Sequence, residues 1–323
     1  MHDRRAFIAG SLAAALPYLA FCQMPVTLPL KAVKIIVPYT PGGLTDNLGR
    51  LVAELLRPIA PLGVIVENRP GAGTLLGGSI VAKAQPDGYT IMVATSSTMG
   101  ISQGLFANPL IKATDLGGIC MLGTVTFFLI AHPDFPATNL NEAIAILKGR
   151  PDTFKIASPG NGTPHHLLSE MLKTRAGFTA THVPYGGSSQ AIPDLLSGRT
   201  DLMILDATVA LPLIRSGKVR ALATTAPKRS QLLPSAPSIA ELYPDMTLQV
   251  WQAVVGPNGL PPAIAGALHA EISKAVASPE MRARLLEMGV EAMPMSIDEF
   301  NAMVRRDESR WVEIVKSSGA KVN

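Results

Sequence analysis

The feature that most constrains this chain is an alternation between short β-branched runs and longer stretches of helical period, carried twice along its length. Val33 to Pro38 reads as a strand, Thr45 to Arg57 as a helix, Val64 to Glu67 as a strand, Leu75 to Ala84 as a helix and Thr90 to Ala94 as a strand. This βαβαβ order predicts a mostly parallel sheet with helices on both faces, because each right-handed crossover lays a helix over the sheet. A break spans Phe106 to Thr114, and Thr126 to Ala131 stands as a strand of its own. The alternation then restarts with strand Lys155 to Ala157, helix Pro164 to Ala176, strand Thr181 to Val183, helix Ser188 to Ser197, strand Asp201 to Leu205, helix Val209 to Ser216 and strand Arg220 to Thr224. Leu248 to Val255 reads as one more strand. Three helices follow, Pro262 to Ala277, Pro279 to Met288 and Ile297 to Ser317, the last expected to pack back on the first lobe. Two successive βαβ systems imply two α/β lobes, expected to comprise residues 25–125 plus 251–323 and residues 126–250.

A length of 323 residues accommodates two such lobes. With 47% hydrophobic and 16% charged residues the chain is too apolar for intrinsic disorder. The 28 Lys+Arg against 24 Asp+Glu are scattered and aromatics make up 5%, so no nucleic-acid patch or membrane-surface patch is expected. Residues 1–24 have a separate logic: Arg4-Arg5 precedes an apolar stretch from Phe7 to Ala20, which predicts an export signal of twin-arginine or general secretory type and a periplasmic destination. Leu19-Ala20-Phe21-Cys22 loosely resembles a lipoprotein cleavage box, but bulky Phe21 stands where a small residue is needed, which argues against a lipid anchor. Only Cys120 remains deep in the chain, so no internal disulfide and no cysteine metal cluster is available; it is expected to be a small buried hydrophobe.

The loops able to carry chemistry sit at carboxyl ends of strands and just before helices, the edge at which open α/β sheets bind ligands. They are Tyr39-Thr40-Pro41-Gly42-Gly43, Ser158-Pro159-Gly160-Asn161-Gly162-Thr163 and Pro184-Tyr185-Gly186-Gly187. Glycines there let the backbone aim N–H groups at a ligand, and a helix start adds partial positive charge, giving an anion site that needs no Arg or Lys. Each loop read singly is equally a tight βα turn. Three of them, divided between two lobes and carrying Thr40, Thr163 and Tyr185 hydroxyls, point to a shared cleft. Ser96 and Ser97, past the third strand, are further candidate contacts. Asp46 in the first turn of its helix is a dipole partner, a ligand contact or a brace for the Gly42-Gly43 loop; Asp206, at the end of a hydrophobic strand, is a candidate cleft residue. His165 and His166 are adjacent and point about 100° apart on a helix, so they cannot grip one metal ion; one is expected to reach the ligand while the other packs or caps. His132, His182 and His269 read as structural.

Two patterns are decoys. Gly71-Ala72-Gly73-Thr74-Leu75-Leu76-Gly77 resembles a dinucleotide fingerprint with its third glycine displaced, and no nucleotide or other cofactor is expected. Gly100-Ile101-Ser102-Gln103-Gly104 matches the nucleophile elbow of α/β hydrolases, with Ser102 as nucleophile, yet Thr95-Ser96-Ser97-Thr98 separates it from the strand that an elbow must follow.

An ordered set of motifs resembles the Bug, or TctC-like, substrate-binding proteins of tripartite tricarboxylate transporters. It runs through Val33-Lys34-Ile35-Ile36-Val37-Pro38-Tyr39-Thr40-Pro41-Gly42-Gly43 with Asp46 and Arg50, Val66-Glu67-Asn68-Arg69-Pro70-Gly71-Ala72-Gly73 and Ala84-Gln85-Pro86-Asp87-Gly88-Tyr89-Thr90. It continues in Ser158 to His165 with Leu167, Val183-Pro184-Tyr185-Gly186-Gly187, Gly217-Lys218-Val219-Arg220-Ala221-Leu222-Ala223 and Trp251. The resemblance implies a periplasmic two-lobe fold of the type II binding-protein class that closes by hinge motion. It also implies carboxylate ligands held by the Tyr39 to Gly43 and Gly160 to His165 loops through backbone amides, hydroxyls and bridging waters, a monomer partnered by membrane transporter subunits, and no catalysis. A ligand sensor partnered by a receptor kinase is the alternative. Where many relatives carry Phe-Asp-Asn, this chain has Leu205-Asp206-Ala207, so the Asp is kept and the amide donor is lost.

Overall fold

The β-branched run Val33–Val37 forms strand β1, buried at four of its five positions, and feeds helix α1 (Leu44–Leu55) across the Tyr39–Gly43 loop. The computed structural model describes residues 31–246 and 250–320; residues 1–24, where the export signal is expected, lie outside the described residues. Strand β2 (Val64–Asn68), helix α2 (Leu75–Ala82) and strand β3 (Thr90–Thr95) complete the first βαβαβ unit as the sequence predicts. A π-helical turn, Ser97–Ile101, then leads into the short helix α3 (Ser102–Leu105).

The next strand departs from the sequence reading. Leu116–Val125 forms β4, ten residues long, in a stretch assigned no strand above. Its three glycines lower strand propensity, but packing demands two of them: a Cβ on Gly118 would strike the Phe300 ring, and one on Gly123 would strike the Glu291 backbone. After Thr126 the chain enters the second sheet through β5 (Phe127–Ala131), followed by helix α4 (Leu140–Gly149), which the sequence reading also left out, and β6 (Lys155–Ser158). Helix α5 (Pro164–Ala176) starts with Thr163 accepting the His166 N–H and with proline in its first turn, and it stops at left-handed Gly177. Then come β7 (Thr181–Pro184), α6 (Ser188–Leu196), β8 (Leu202–Asp206), α7 (Ala207–Arg215) and β9 (Arg220–Thr224). The chain returns to the first sheet through β10 (Val250–Pro257) and ends with α8 (Pro262–Ala277), α9 (Pro279–Glu287), β11 (Val290–Ala292) and α10 (Ile297–Ser318).

Strand order is β11-β4-β10-β3-β1-β2 in one sheet and β7-β6-β8-β5-β9 in the other. The βαβ units pair in parallel, as expected: β1 with β2 and β3, β6 with β7 and β8. The strands by which the chain crosses between sheets do not, since β10 runs antiparallel to β3 and β4, and β5 antiparallel to β8 and β9. Each arrives from the opposite lobe instead of from a crossover helix, so the sheets are mixed. Each sheet is sandwiched: Ile35 and Val93 belong to one apolar cluster and Ile36 and Met92 to another on the opposite face. Helix α10 packs on the Ser97–Leu105 segment and β4 as expected, but it also reaches α5, and Trp311, set against Gly100, belongs to the apolar cluster that includes most of the second sheet's buried residues on one face. Among the described residues no helix is long and apolar enough to cross a membrane.

Candidate functional site

A cavity of about 1200 Å³ lies between the two sheets, lined by the carboxyl ends of strands and the starts of helices from both. On the first sheet's side the chain turns sharply after β1, with Gly42 at φ +89°, a conformation that a side chain would strain. Asp46 holds that turn. Its Oδ2 accepts the Gly42 N–H at 2.9 Å and Arg50 Nε at 3.1 Å, while its Oδ1 accepts Asn68 Nδ2 at 2.9 Å and Arg50 Nη2 at 3.2 Å. Asn68 also donates to the Tyr39 carbonyl at 3.0 Å, so one side chain ties both ends of the loop. Burial pushes the Asp46 carboxyl up, but these donors outweigh it and hold it below the ordinary range. Asp46 is therefore the brace among its three readings, with no part in the cavity lining. Burial likewise raises Tyr39, whose hydroxyl sits 3.3 Å from Thr95 Oγ1 and stays neutral.

The geometry alters which N–H groups are available. Gly42 N–H goes to Asp46, Gly160 N–H to Ser158 Oγ at 3.2 Å, Gly162 N–H to His166 Nδ1 at 3.1 Å and Gly186 N–H to Gln190 Oε1 at 3.0 Å. The glycine amides expected to face a ligand are thus largely spent inside their own loops. What the turns achieve is to aim four helix starts at the cavity: α1 through Gly43 to Thr45, α5 through Thr163 to His165, α6 through Ser188 and Ser189, and α7 through Thr208 and Val209. First-turn N–H groups carry the positive end of the helix dipole. In α7 the Ala207 N–H is given to the Thr126 carbonyl and that of Val209 to Asp206, and α5 opens on Pro164, which has none, so the starts of α1 and α6 are the richer donors.

Of the residues singled out in the sequence, Tyr39, Thr40, Gly42, Gly43, Ser97, Thr163, His165 and Asp206 line this cavity. The others do not. Pro41 lies in the loop outside the lining, and Ser96 is fully buried. Gly160 and Gly162 shape the turn, and Asn161 faces a separate cavity of about 400 Å³ behind it, beside His166 and His182. Pro184 to Gly187 stand back from the cleft, with the Tyr185 hydroxyl donating to Asp194 at 2.8 Å and Gly187 capping α6. Of the adjacent histidines, His165 reaches the cleft, its ring edge-on to Phe127 at 4.9 Å, whereas His166 packs parallel to His182 at 3.9 Å. Burial lowers both His166 and His182, the latter to about 4, with the neighbouring His166 as a second cause there, so this pair is neutral. Residues that the sequence reading missed include Ser188 and Ser189, which the helix start after Gly187 could have flagged, and Gln252 and Phe127, which reach the cavity only through strand placement. Gln252 Oε1 accepts the Thr45 hydroxyl at 3.2 Å.

Asp206 ends β8 in the cavity wall. Its Oδ1 accepts the Thr208 hydroxyl and its Oδ2 lies 3.8 Å from His165 Nε2. Burial works against its charge, but His165 and Thr208 keep the carboxyl below its ordinary value. The lining contains Asp206 and Glu287 and no Lys or Arg. Among the described residues no cluster of His, Cys, Asp and Glu is arranged to hold a metal ion. Ser102 is 1% exposed, follows the π-helical turn and donates its hydroxyl to the Gly73 carbonyl, so it is not presented as a nucleophile elbow would require. The segment resembling a dinucleotide fingerprint is a 3-10 turn over Ala72–Thr74.

Residues 48–320 match the family described as the tripartite tricarboxylate transporter family receptor, TctC. BugT of Bordetella pertussis (strain Tohama I) is 34% identical over 300 residues, spanning 92% of each chain. Among solved structures, Rpa4515 of R. palustris with adipate is 30% identical at a TM-score of 0.78, covering 91% of this chain and 100% of that one. MatC from Rhodopseudomonas palustris with bound malate is 28% identical at a TM-score of 0.72, covering 88% and 99%. The two mixed sheets and the cleft between them are shared with periplasmic binding proteins, and by its match over most of its length this chain belongs to the TctC, or Bug, family of tripartite tricarboxylate transporter receptors.

Proposed function

We propose that the protein captures a small carboxylate in the interlobe cavity and delivers it to the membrane subunits of a tripartite tricarboxylate-type transporter. The observation that carries this is the convergence of four helix starts on one cavity whose lining has no Lys or Arg. Such a wall offers N–H groups and hydroxyls preorganised for an oxyanion, at a modest cost of desolvation compared with a buried cation. Adipate and malate in the two solved relatives are carboxylates of the expected size. Binding bridges residues 25–125 plus 251–323 to residues 126–250 and shifts an open form toward a closed one, the hinge lying where the chain crosses between sheets. In this reading residues 1–24 direct export, the protein works in the periplasm as a single copy, and it performs no chemistry on its ligand.

The test is calorimetric titration of purified protein against aliphatic, hydroxy-, amino- and aromatic carboxylates, with native mass spectrometry of gently purified protein to find a co-purified acid. Saturable 1:1 binding of at least one class is expected. Absence of binding across the panel, or release of a chemically altered acid, contradicts the proposal.

A further inference from the structure

Asp206 stands at the start of α7, where the helix dipole, the Val209 N–H and the Thr208 hydroxyl favour its charge, yet that charge also faces the cleft. Asp206 lies in the lining, where its negative charge opposes any acid entering the cavity. Its Oδ1 is taken by the Thr208 hydroxyl, and its Oδ2 faces His165 across 3.8 Å, beyond hydrogen-bond distance. His165 is unsatisfied in turn: both of its ring nitrogens are buried and neither has a hydrogen-bond partner. Buried polar atoms in this position are ordinarily paired, by protein, water or ligand. Phe127 closes the edge of the ring at 4.9 Å and fixes its orientation. An acceptor of full negative charge and an imidazole therefore converge on the same part of the wall, with no cation in the lining to occupy them.

We infer that the ligand carries, besides the carboxylate taken by the helix starts, a hydrogen-bond donor, a hydroxyl or an ammonium group, that seats on Asp206 beside His165. This rests on the carboxylate-binding reading and narrows it. A donor satisfies the Asp206 oxygen that Thr208 leaves open and offsets its repulsion of the anion, whereas an acid without one takes water from that oxygen and gives nothing back. Leu205 and Ala207 flank Asp206 and contribute no polar side chain, and the neighbouring Thr208 hydroxyl is already given to Asp206.

The experiment uses matched pairs on the wild-type protein: malate against succinate, aspartate against succinate, and lactate against propionate, titrated calorimetrically. Within the pair whose carbon skeleton fits, the donor-bearing acid is expected to bind at least about tenfold more tightly. In Asp206→Ala that ratio is expected to fall to within about threefold, and in Asp206→Asn the ammonium preference is expected to fall further than the hydroxyl preference, since charge is lost but an acceptor kept. Equal binding of both members, within about threefold in the wild type, overturns the inference while leaving carboxylate capture standing. A preference that persists undiminished in both variants overturns the assignment to Asp206. Binding of none of these acids, nor of any other on the wider panel, overturns the underlying reading along with it.

Discussion

Asp46 and Asp206 each sit at the start of a helix, Asp46 behind the first lobe's wall of the cleft and Asp206 in the second lobe's wall, and the protein uses them in opposite ways. Asp46 has both oxygens engaged by Gly42, Asn68 and Arg50 and is 2% exposed. Asp206 has one oxygen on Thr208 and the other turned to His165 and the cavity. In both, burial works against the charge and hydrogen bonds prevail. On the proposed reading the difference is a division of labour. The first lobe's wall is built in advance, so its N–H groups stand in position before a ligand arrives; the second lobe's wall keeps polar groups in reserve for whatever the ligand brings.

Removal of each carboxylate separates the two walls most strongly. Asp46→Ala strips partners from the Gly42 N–H, Asn68 and Arg50 together, and is expected to cost about 3 kcal/mol in urea denaturation and to weaken carboxylate binding. Asp206→Ala is expected to cost less than about 1 kcal/mol in the same assay. Equal losses would show that both are structural.

A smaller effect separates the two walls by pH. Burial holds His182, behind the second lobe's loop, at about 4 in the folded chain against an ordinary 6.5. Between these values the unfolded chain takes up a proton that the folded chain refuses. Stability from this residue is therefore complete above about pH 6.5 and lost as pH falls toward 4. His182 is part-exposed, so screening trims the contribution to about 1–2 kcal/mol. Urea midpoints at pH 7 and pH 5 check this, and His182→Gln should flatten the difference. A still smaller effect is expected from Gly162→Ala, about 1 kcal/mol: Gly162 has φ +72°, and an added methyl would press on the end of the Leu105 side chain at 2.8 Å. Smallest of all, the Cys120 thiol is pushed up to about 12 by burial, so it should resist thiol reagents until the chain unfolds, with no change in binding.

Much of this was legible in the sequence because it is local. Helix α5 begins at Pro164 and ends at Ala176 as its cap and glycine dictate, and β9 spans Arg220–Thr224 as read. The loops of the site could be located because each lies between a β-branched run and a helical period. What stayed hidden depends on contacts between distant segments. Strand β4 contains Gly117, Gly118 and Gly123, and the approach of Phe300 and Glu291 explains the last two. In the same way, glycines marked the turns, but which N–H groups remain for a ligand depends on Asp46, Ser158, His166 and Gln190, whose reach into those turns spacing alone does not reveal. Gln252 enters the site from a strand more than 200 residues along the chain from α1, with a side chain that meets Thr45.

A crystal structure of the protein with a bound carboxylate tests the central claim most directly. Ligand oxygens are expected about 2.7–3.2 Å from first-turn N–H groups or hydroxyls of α1 on one side and of α5 or α6 on the other, with no Lys or Arg in contact. A carboxylate held by a basic side chain, or seated outside the cavity between the sheets, would contradict it.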